Sequence, residues 1–324
     1  MMEEELRRLA ADRPLHTREL QAPNDFYGIA AMLKRHAGVS PRAALKAAVE
    51  HGISVSSYVW ELDVEGPLPT FLGAGPQRVQ AYLEAAEPGR AAEAIGPLVL
   101  YAPAPRPVER PARRLLAIPA HSTHHVTVDY DAEAFAAWLG ELRGDFDEVV
   151  VCLYWRDVQR GAQEAYRRAG LRCATAGHIY DPLFMTRMRA LLESAAVVAT
   201  NRFGSHVAYA VALDRPVWYR AQPVERTALE ALPESKAAPE WLATAEQIAA
   251  RFARPVDAVT DEQREALDPF AGFERHRSPE ELRRLLADAA QRYRRHWRPL
   301  RRAEHAARRS VREALVATRA ALGR

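Results

Sequence analysis

The stretch that most constrains the fold is residues 194–219, SAAVVATNRFGSHVAYAVALDRPVWY. Residues 197–199 form a short apolar run of the kind that lies buried in a parallel sheet. Small and polar residues follow, and the apolar run 208–213 provides a helix face that can pack on that sheet. Pro216 cannot continue the helix, and residues 217–219 begin another apolar strand. The stretch therefore predicts a strand, a tight turn, a helix and a second strand.

The turn between this strand and helix is the first candidate binding site. Ligands of open α/β sheets bind beyond the carboxyl ends of the strands. The free backbone N–H groups and the dipole of a helix N-terminus also favour a phosphate there. Asn201, Gly204, Ser205 and His206 stand at this point and predict an anion or nucleotide site. The alternative for Ser205 is simple capping of the helix.

Strands and helices alternate regularly through the second half of the chain, and this alternation predicts a parallel, doubly wound sheet. Residues 106–112 are rich in Pro and Arg, which is typical of a stiff, exposed linker. We therefore predict an α/β protein with a domain boundary at this linker. The predicted parts are an N-terminal α/β domain at 1–105, the linker at 106–112, a C-terminal α/β domain at 113–260 and a basic helical segment at 261–324.

The first half of the chain follows a less regular pattern. Asn24 or Asp25 is predicted to cap its first apolar helix. Ser40 and Pro41 are predicted to start a second helix, which Gly52 ends. Predicted helices lie at 29–33, 43–50, 76–86, 131–142, 158–169, 183–193, 239–251, 262–267 and 279–324, the last being either one long helix or a pair with a break near Pro299. Predicted strands, besides those named above, lie at 53–60, 71–73, 96–101, 115–119, 148–154 and 171–175.

Composition limits the class of protein. The chain is 48% hydrophobic and 27% charged, has no apolar run that could span a bilayer, and begins without a signal-peptide pattern. We therefore expect a cytoplasmic protein. Cys152 and Cys173 are expected to be buried and free of a disulfide, and no zinc-type spacing predicts a metal site.

Basic charge is concentrated at the C-terminal end of the chain. Residues 279–324 contain thirteen Arg and five Asp or Glu, whereas the whole chain carries a net charge of only +3. This segment is interpreted as a solvated amphipathic helix, with peripheral contact to an anionic membrane as the alternative. Nucleic acid is not expected as a partner, because the segment has no basic patch interleaved with aromatic residues.

Polar loops follow three further predicted strands. His121, Ser122 and Thr123 come directly after one strand, and His121 with Ser122 could contact a phosphate or a sugar-nucleotide. The other two loops contain Asp157, which is either a ribose ligand or a helix cap, and residues 177–181. In that last loop, Gly177, His178 and Asp181 could orient a base or ribose, or could form an exposed turn.

The first half contains the candidate general bases. His51 lies between a predicted helix end and a predicted strand, and it could take a proton from a sugar hydroxyl or be a buried structural residue. Asp25, Glu61 and Asp63 are rival carboxylate bases.

Several of these motifs resemble one family. Residues 195–219 are similar to the donor-binding half of bacterial glycosyltransferases with the GT-B fold. His121 and Ser122, after LLAIPA, resemble the His-Pro motif of GT-B enzymes that use CMP-activated sugars, the sialyltransferases and Kdo transferases, although Ser122 replaces the Pro. Gly204 with Ser205 resembles the later Ser-containing motif of those enzymes. EHGISV and IGPLVLYA resemble the acceptor domain of surface-polysaccharide transferases.

This resemblance implies a fold and a function. The fold would be GT-B-like, with two Rossmann-like domains facing a cleft and C-terminal helices returning to the first domain. The activity would be transfer of a sugar from a nucleotide-sugar donor to a polysaccharide or lipid-linked acceptor, without a bound metal or tightly bound cofactor. A base in the first domain would activate the acceptor. The alternatives are a sugar-nucleotide epimerase and a non-catalytic protein that binds a glycan or another partner.

Overall fold

The structure is a computed structural model of the chain, and it describes most of its residues. The linker at 106–112, His124 and the basic tail beyond His296 lie outside the described residues, so the interpretations of these segments stay predictions. None of the described helices is long and apolar enough to cross a membrane. The described residues are 1–15, 17–104, 113–123, 125–228 and 239–296.

Strands and helices alternate along most of the chain. The strands are β1 (Ala48–Val49), β2 (Thr70–Gly73), β3 (Ala91–Ala94), β4 (Arg114–Ala117), β5 (Val126–Asp129), β6 (Glu148–Cys152), β7 (Arg172–Ala174), β8 (Val197–Thr200), β9 (Val217–Tyr219) and β10 (Glu225–Ala228). The α-helices are α1 (Glu3–Ala10), α2 (Ile29–Ala37), α3 (Glu61–Glu65), α4 (Pro76–Ala85), α5 (Ala132–Glu141), α6 (Trp155–Gln159), α7 (Gln163–Arg168), α8 (Phe184–Glu193), α9 (Ser205–Ala212), α10 (Pro239–Ala250), α11 (Asp261–Ala271) and α12 (Pro279–His296). Short 3-10 helices lie at Ala22–Gly28, Leu98–Tyr101, Leu142–Asp145 and Phe273–Arg275.

Two parallel sheets organise these elements. The larger sheet has five strands in the order β7-β6-β4-β8-β9, and the smaller has three in the order β1-β2-β3. Every neighbouring pair in both sheets is parallel. The predicted parallel sheet of the second half is therefore confirmed. The strand, turn, helix and strand predicted for residues 194–219 are confirmed as β8, α9 and β9.

The larger sheet is buried on both faces, because alternate side chains of a strand point to opposite sides. Leu116 and Val198 belong to one hydrophobic core, whereas Leu115 and Val197 belong to another on the opposite face. The first core continues without interruption into the first half of the chain, where it includes Leu72. The two sheets therefore share a core, and the arrangement of two separate GT-B domains is not confirmed.

The two ends of the chain pack across the predicted division at residue 105. Leu6 of α1 is buried in the core of the second half, and the amide of His178 donates to the carbonyl of Leu9 at 2.9 Å. At the other end, α12 packs on α2, with Leu282 buried and Arg283 Nε donating to the Ala37 carbonyl at 2.7 Å. C-terminal helices returning to the first half are thus seen in the structure, and the first ten residues lie with the second half.

The region before β1 differs from the prediction. The helix predicted at 43–50, with its start at Ser40 and Pro41, is wrong, because this segment forms turns that lead into β1. Glu19 and Lys34 form a buried ion pair with an N–O distance of 2.6 Å. Glu19 accepts the amide of Leu45, and Lys34 donates to the carbonyl of Ala43. These hydrogen bonds take the place of the backbone hydrogen bonds that a helix would have formed.

Further local predictions in the first half fail for similar reasons. Asn24 does not cap α2, because its side chain donates to the Ala47 carbonyl and accepts from the Val49 amide at 2.9 Å each. Asp25 does not cap α2 either. Gly52 ends no helix, residues 53–60 form an irregular loop instead of a strand, and residues 98–101 form a 3-10 helix instead of a strand.

Two features of the second half were not predicted. The helix expected at 158–169 is two short helices, α6 and α7, separated at Gly161, whose φ is +82°. Strands β5 and β10 also form an antiparallel pair that joins Val126 to Ala228. Cys152 and Cys173 are buried and free, as predicted.

Candidate functional site

A cavity of about 830 Å³ lies between two parts of the chain, the first before the predicted division at residue 105 and the second after it. Its volume falls in the range typical of small-molecule sites. The first part contributes the loop that follows β1, and the second part contributes the carboxyl ends of β4, β6 and β8 together with α10. The residues that line the cavity include Tyr27, Glu50, His51, Tyr58, Trp60, Arg78, His121, Tyr154, Arg202, Gly204, Ser205, His206, Tyr219, Gln222 and Glu246.

Positive charge gathers at one corner of this cavity. Arg202 follows β8 and is half-buried, and its pKa is lowered by burial and by the charge of Arg226. No carboxylate among the described residues forms an ion pair with Arg202 or contributes to its pKa shift. Burial, Arg202 and Arg226 together lower the pKa of His121 to about 4, so this imidazole is neutral at pH 7. A guanidinium without a carboxylate partner in a cavity favours an anionic ligand.

His206 supports the turn that carries Arg202. Its Nε2 lies 3.0 Å from the Thr200 hydroxyl, whose own proton is donated to the carbonyl of Arg202 at 2.8 Å. Nε2 must therefore carry a proton and donate it, which leaves Nδ1 as an acceptor. Burial and the neighbouring His121 lower the pKa of His206 to about 3. His206 is thus a neutral residue that fixes the geometry of the turn.

Ser205 connects the two parts of the chain. Its hydroxyl oxygen accepts the backbone N–H of Ile53 at 2.9 Å, across the cavity wall. The predicted N-cap role of Ser205 is wrong, because Gly204 occupies the N-cap position of α9 and Ser205 is the first helical residue. Ser205 therefore holds the loop after β1 against the start of α9.

Some predicted donor residues lie outside the cavity lining and have structural partners. Asn201 is buried, and its side-chain oxygen accepts the Ala120 amide at 2.7 Å. The Ser122 amide donates to both carboxylate oxygens of Asp157 at 3.1 and 3.2 Å. The cap predicted at Asp157 is wrong, because its side chain makes this long-range contact. Burial raises the pKa of Asp157 to about 6.

The loop after β7 is buried as well. His178 and Asp181 are 2% and 1% exposed, which contradicts the exposed-turn alternative. Asp181 forms an ion pair with Arg187, with an N–O distance of 2.9 Å. Gly177, His178, Asp181 and Thr123 do not line the cavity. A nucleotide contact through any of them stays a prediction that this geometry does not favour.

Of the candidate bases, the structure brings only His51 to the cavity. Its ring lies 5.5 Å from that of Phe26 and 5.9 Å from that of Trp60, measured between centroids. Glu61 is exposed at the start of α3. Asp25 is partly buried, and burial raises its pKa. Neither carboxylate lines the cavity.

Carboxylates are scarce in the cavity. Among the lining residues that the structure describes, only Glu50 and Glu246 carry one. Glu50 is paired with the buried Arg78 at 2.6 Å, and burial raises the pKa of Glu50 although Arg78 opposes the shift. An epimerase needs several acid and base groups around one sugar ring, so this lining gives that alternative little support. No group of three or more His, Cys, Asp or Glu in the described chain is arranged to hold a metal ion.

Sequence reasoning missed Arg202, Tyr27 and Tyr154. Arg202 could have been found, because it stands in the same turn as Asn201 and Gly204. Tyr154 is the last residue of a predicted strand, at the end where ligands bind in parallel sheets. Tyr27 had no local signal, because its place in the cavity depends on contacts with the second half.

The solved structures that the chain is similar to include two distant likenesses. No family model and no curated protein matches the chain. The crystal structure of TarM matches 81% of this chain and 53% of its own, at 8% identity and a TM-score of 0.31. A glycosyltransferase from Rickettsia africae ESF-5 matches 87% of this chain and 84% of its own, at 10% identity and a TM-score of 0.30. The chain thus spans about half the length of TarM, and at these TM-scores neither likeness assigns a fold or an activity.

Proposed function

We propose that this protein is a glycosyltransferase that moves a sugar from a nucleotide-sugar donor to an acceptor hydroxyl. The observation that carries the proposal is Arg202, a half-buried guanidinium without a carboxylate partner among the described residues, in an 830 Å³ cavity built from both parts of the chain. A polyphosphate with attached polar rings suits this combination of charge and volume.

Several side chains that line the cavity interact with one another. Glu246 affects the pKa of Tyr219, and Tyr219 in turn affects the pKa of Arg202. Arg202 lowers the pKa of His121, whose ring lies 4.7 Å from that of Tyr154. In the proposed complex, the phosphates of the donor contact Arg202, the sugar lies toward Tyr154 and the nucleoside lies toward α10.

The reaction would be a direct displacement. His51 takes the proton of the acceptor hydroxyl, and the acceptor oxygen forms a bond to the anomeric carbon of the sugar. The bond from that carbon to the phosphate oxygen breaks at the same time, and the nucleotide leaves with the electron pair. Arg202 stabilises the negative charge that develops on the leaving phosphate.

Nucleotide binding tests this proposal. We expect at least one of CMP, UDP, GDP and ADP to raise the melting temperature at low ionic strength, where charge interactions are least screened. Arg202→Gln should weaken the affinity, measured by calorimetry, about 10- to 100-fold, because a charge-assisted hydrogen bond is lost. Arg220→Gln is the matched control, since Arg220 is exposed and stacks near Trp138 outside the cavity.

Two outcomes would contradict the donor site. If no nucleotide binds, the non-catalytic alternative is favoured. If Arg202→Gln binds as tightly as the wild type, the phosphate position is wrong. Release of nucleotide from the matching nucleotide-sugar then tests catalysis, and His51→Gln should slow that release without lowering nucleotide affinity.

The acceptor and any membrane contact remain part of the same proposal. A glycan or lipid-linked acceptor would approach from the side of His51 and Trp60, whose side chain is 39% exposed. The basic tail beyond His296 is proposed to contact an anionic membrane surface. Loss of vesicle binding after removal of residues 300–324 would support that part, and unchanged binding would contradict it.

A further inference from the structure

Tyr27 has an unusual backbone. Its φ is +59° and its ψ is +12°, a left-handed conformation that costs free energy for a bulky residue. Gly28 follows with φ +74°, and a Cβ there would lie 2.2 Å from the carbonyl oxygen of Pro182. The close approach of this second-half backbone therefore fixes the two residues in place.

Contacts from the second half also hold the Tyr27 side chain and amide. The amide donates to the Ile179 carbonyl at 2.6 Å, and the ring lies 4.6 Å from that of Phe184. The phenol oxygen lies 3.2 Å from that of Tyr154. Both tyrosines line the cavity, and the strained backbone of Tyr27 places its hydroxyl beside that of Tyr154.

This hydroxyl pair has an unused donor. One hydrogen bond between two hydroxyls consumes one of their two protons. No acceptor among the described residues takes the second proton. Burial raises the pKa of both tyrosines, so both hydroxyls keep their protons at neutral pH. A partly buried donor of this kind gains from a ligand that supplies an acceptor oxygen.

Ring contacts connect the neighbourhood of this pair to His121 and to His51. On one side, the Tyr154 ring is 4.7 Å from His121, next to Arg202. On the other side, the residue before Tyr27 is Phe26, whose ring is 5.5 Å from that of His51. A sugar attached to a phosphate at Arg202 and facing a base at His51 would therefore lie against these hydroxyls.

We propose that the Tyr27–Tyr154 hydroxyl pair binds a hydroxyl of the transferred sugar and makes the site prefer a nucleotide-sugar to the free nucleotide. This inference rests on the proposed function and names two residues that select the sugar part of its donor. A site that hydrogen-bonds a substrate hydroxyl discriminates strongly against ligands lacking it. Because the tyrosines come from different parts of the chain, sugar recognition requires both parts.

Calorimetry with matched ligand pairs tests the inference. The probes are UDP with UDP-glucose, GDP with GDP-mannose, and CMP with CMP-N-acetylneuraminate. Tyr27→Phe and Tyr154→Phe should each weaken binding of the nucleotide-sugar about 3- to 10-fold, the value of one neutral hydrogen bond. Binding of the free nucleotide should change by less than about twofold, because the nucleotide does not reach the pair.

Tyr82→Phe is the control, since Tyr82 is a buried tyrosine that does not line the cavity. Equal weakening of nucleotide and nucleotide-sugar would overturn the inference, because it would indicate a structural role. Unchanged sugar preference in both variants would overturn it while leaving the donor site intact. Absence of all nucleotide binding would overturn the proposed function and this inference together.

Discussion

At the scale of single residues, Asp63 shows how burial changes chemistry away from the cavity. Asp63 is 5% exposed, and its Oδ1 accepts from Gln21 Nε2 at 2.7 Å. Burial and the nearby charge of Glu50 raise the pKa of Asp63 to about 7, although Arg78 acts in the opposite direction. Asp63 therefore changes its protonation close to neutral pH, which an exposed aspartate does not do.

Asp63→Asn should alter the pH dependence of stability. The folded state holds the Asp63 proton up to about pH 7, whereas the unfolded chain releases it near pH 3.8. The wild type therefore loses stability as the pH rises through this window, and an uncharged Asn does not. From pH 5 to 7, the variant should gain on the order of 1 kcal/mol per pH unit relative to the wild type.

Urea unfolding at several pH values measures this difference. Asp288→Asn, at an exposed position of α12, is the control and should follow the wild type. If the free energies of unfolding of Asp63→Asn and the wild type changed with pH in the same way, the prediction of a raised pKa for Asp63 would be contradicted.

At the scale of elements, the loop at 51–60 depends on one side chain from α4. Arg78 is 2% exposed, and its Nε donates to Glu50 at 2.6 Å. Its remaining nitrogens donate to the carbonyls of Ser56 and Tyr58. These hydrogen bonds satisfy backbone groups that would otherwise pair with a neighbouring strand. The loop therefore keeps a fixed shape without the hydrogen bonds of a sheet. In this conformation of the loop, His51 lines the cavity.

Arg78→Met should destabilise the protein strongly. The variant leaves the Glu50 carboxylate buried without its partner, which costs about 3–5 kcal/mol. Adding Glu50→Gln should recover part of this loss, because it removes the uncompensated charge. Denaturant unfolding measures both changes, and Gln77→Met at the adjacent exposed position is the control. A loss below about 1 kcal/mol for Arg78→Met would contradict the role assigned to this pair.

At the scale of the whole molecule, the shared core joins the two sheets. Leu72 from the smaller sheet and Leu116 from the larger one belong to the same buried cluster, together with Leu282 of α12. Helix α1 packs on the second half and α12 on the first, so the chain ends cross between the two parts. We therefore expect both parts to unfold together, as single domains with one core usually do.

Leu282→Ala tests this expectation. Leu282 is 0% exposed, and its truncation should lower the free energy of unfolding by about 2–5 kcal/mol. Tryptophan fluorescence and far-ultraviolet circular dichroism should show the same shifted midpoint, because one transition is expected. Leu83→Ala, at a position that is 47% exposed, should have a much smaller effect. Two separated transitions would indicate parts that fold independently.

The sequence by itself determined the parallel sheet of the second half. Its strands are short apolar runs such as 197–199, and Pro216 and Gly170 end the helices, so the signals are local. His121 and residues 204–206, which the sequence predicts as binding residues, line the cavity, and their binding role stays a prediction. Local patterns suffice here because a strand that is buried on both faces of a parallel sheet is a nearly continuous run of apolar residues.

Tertiary structure alone decided the rest. The loop at 51–60 follows from Arg78, and the pairing of β5 with β10 joins strands about one hundred residues apart. Tyr27 reaches the cavity because second-half backbone fixes its strained conformation. Arg202 is a candidate phosphate ligand because the described chain offers it no carboxylate. Long-range hydrogen bonds and ion pairs set each of these features, and a sequence window does not contain their partners.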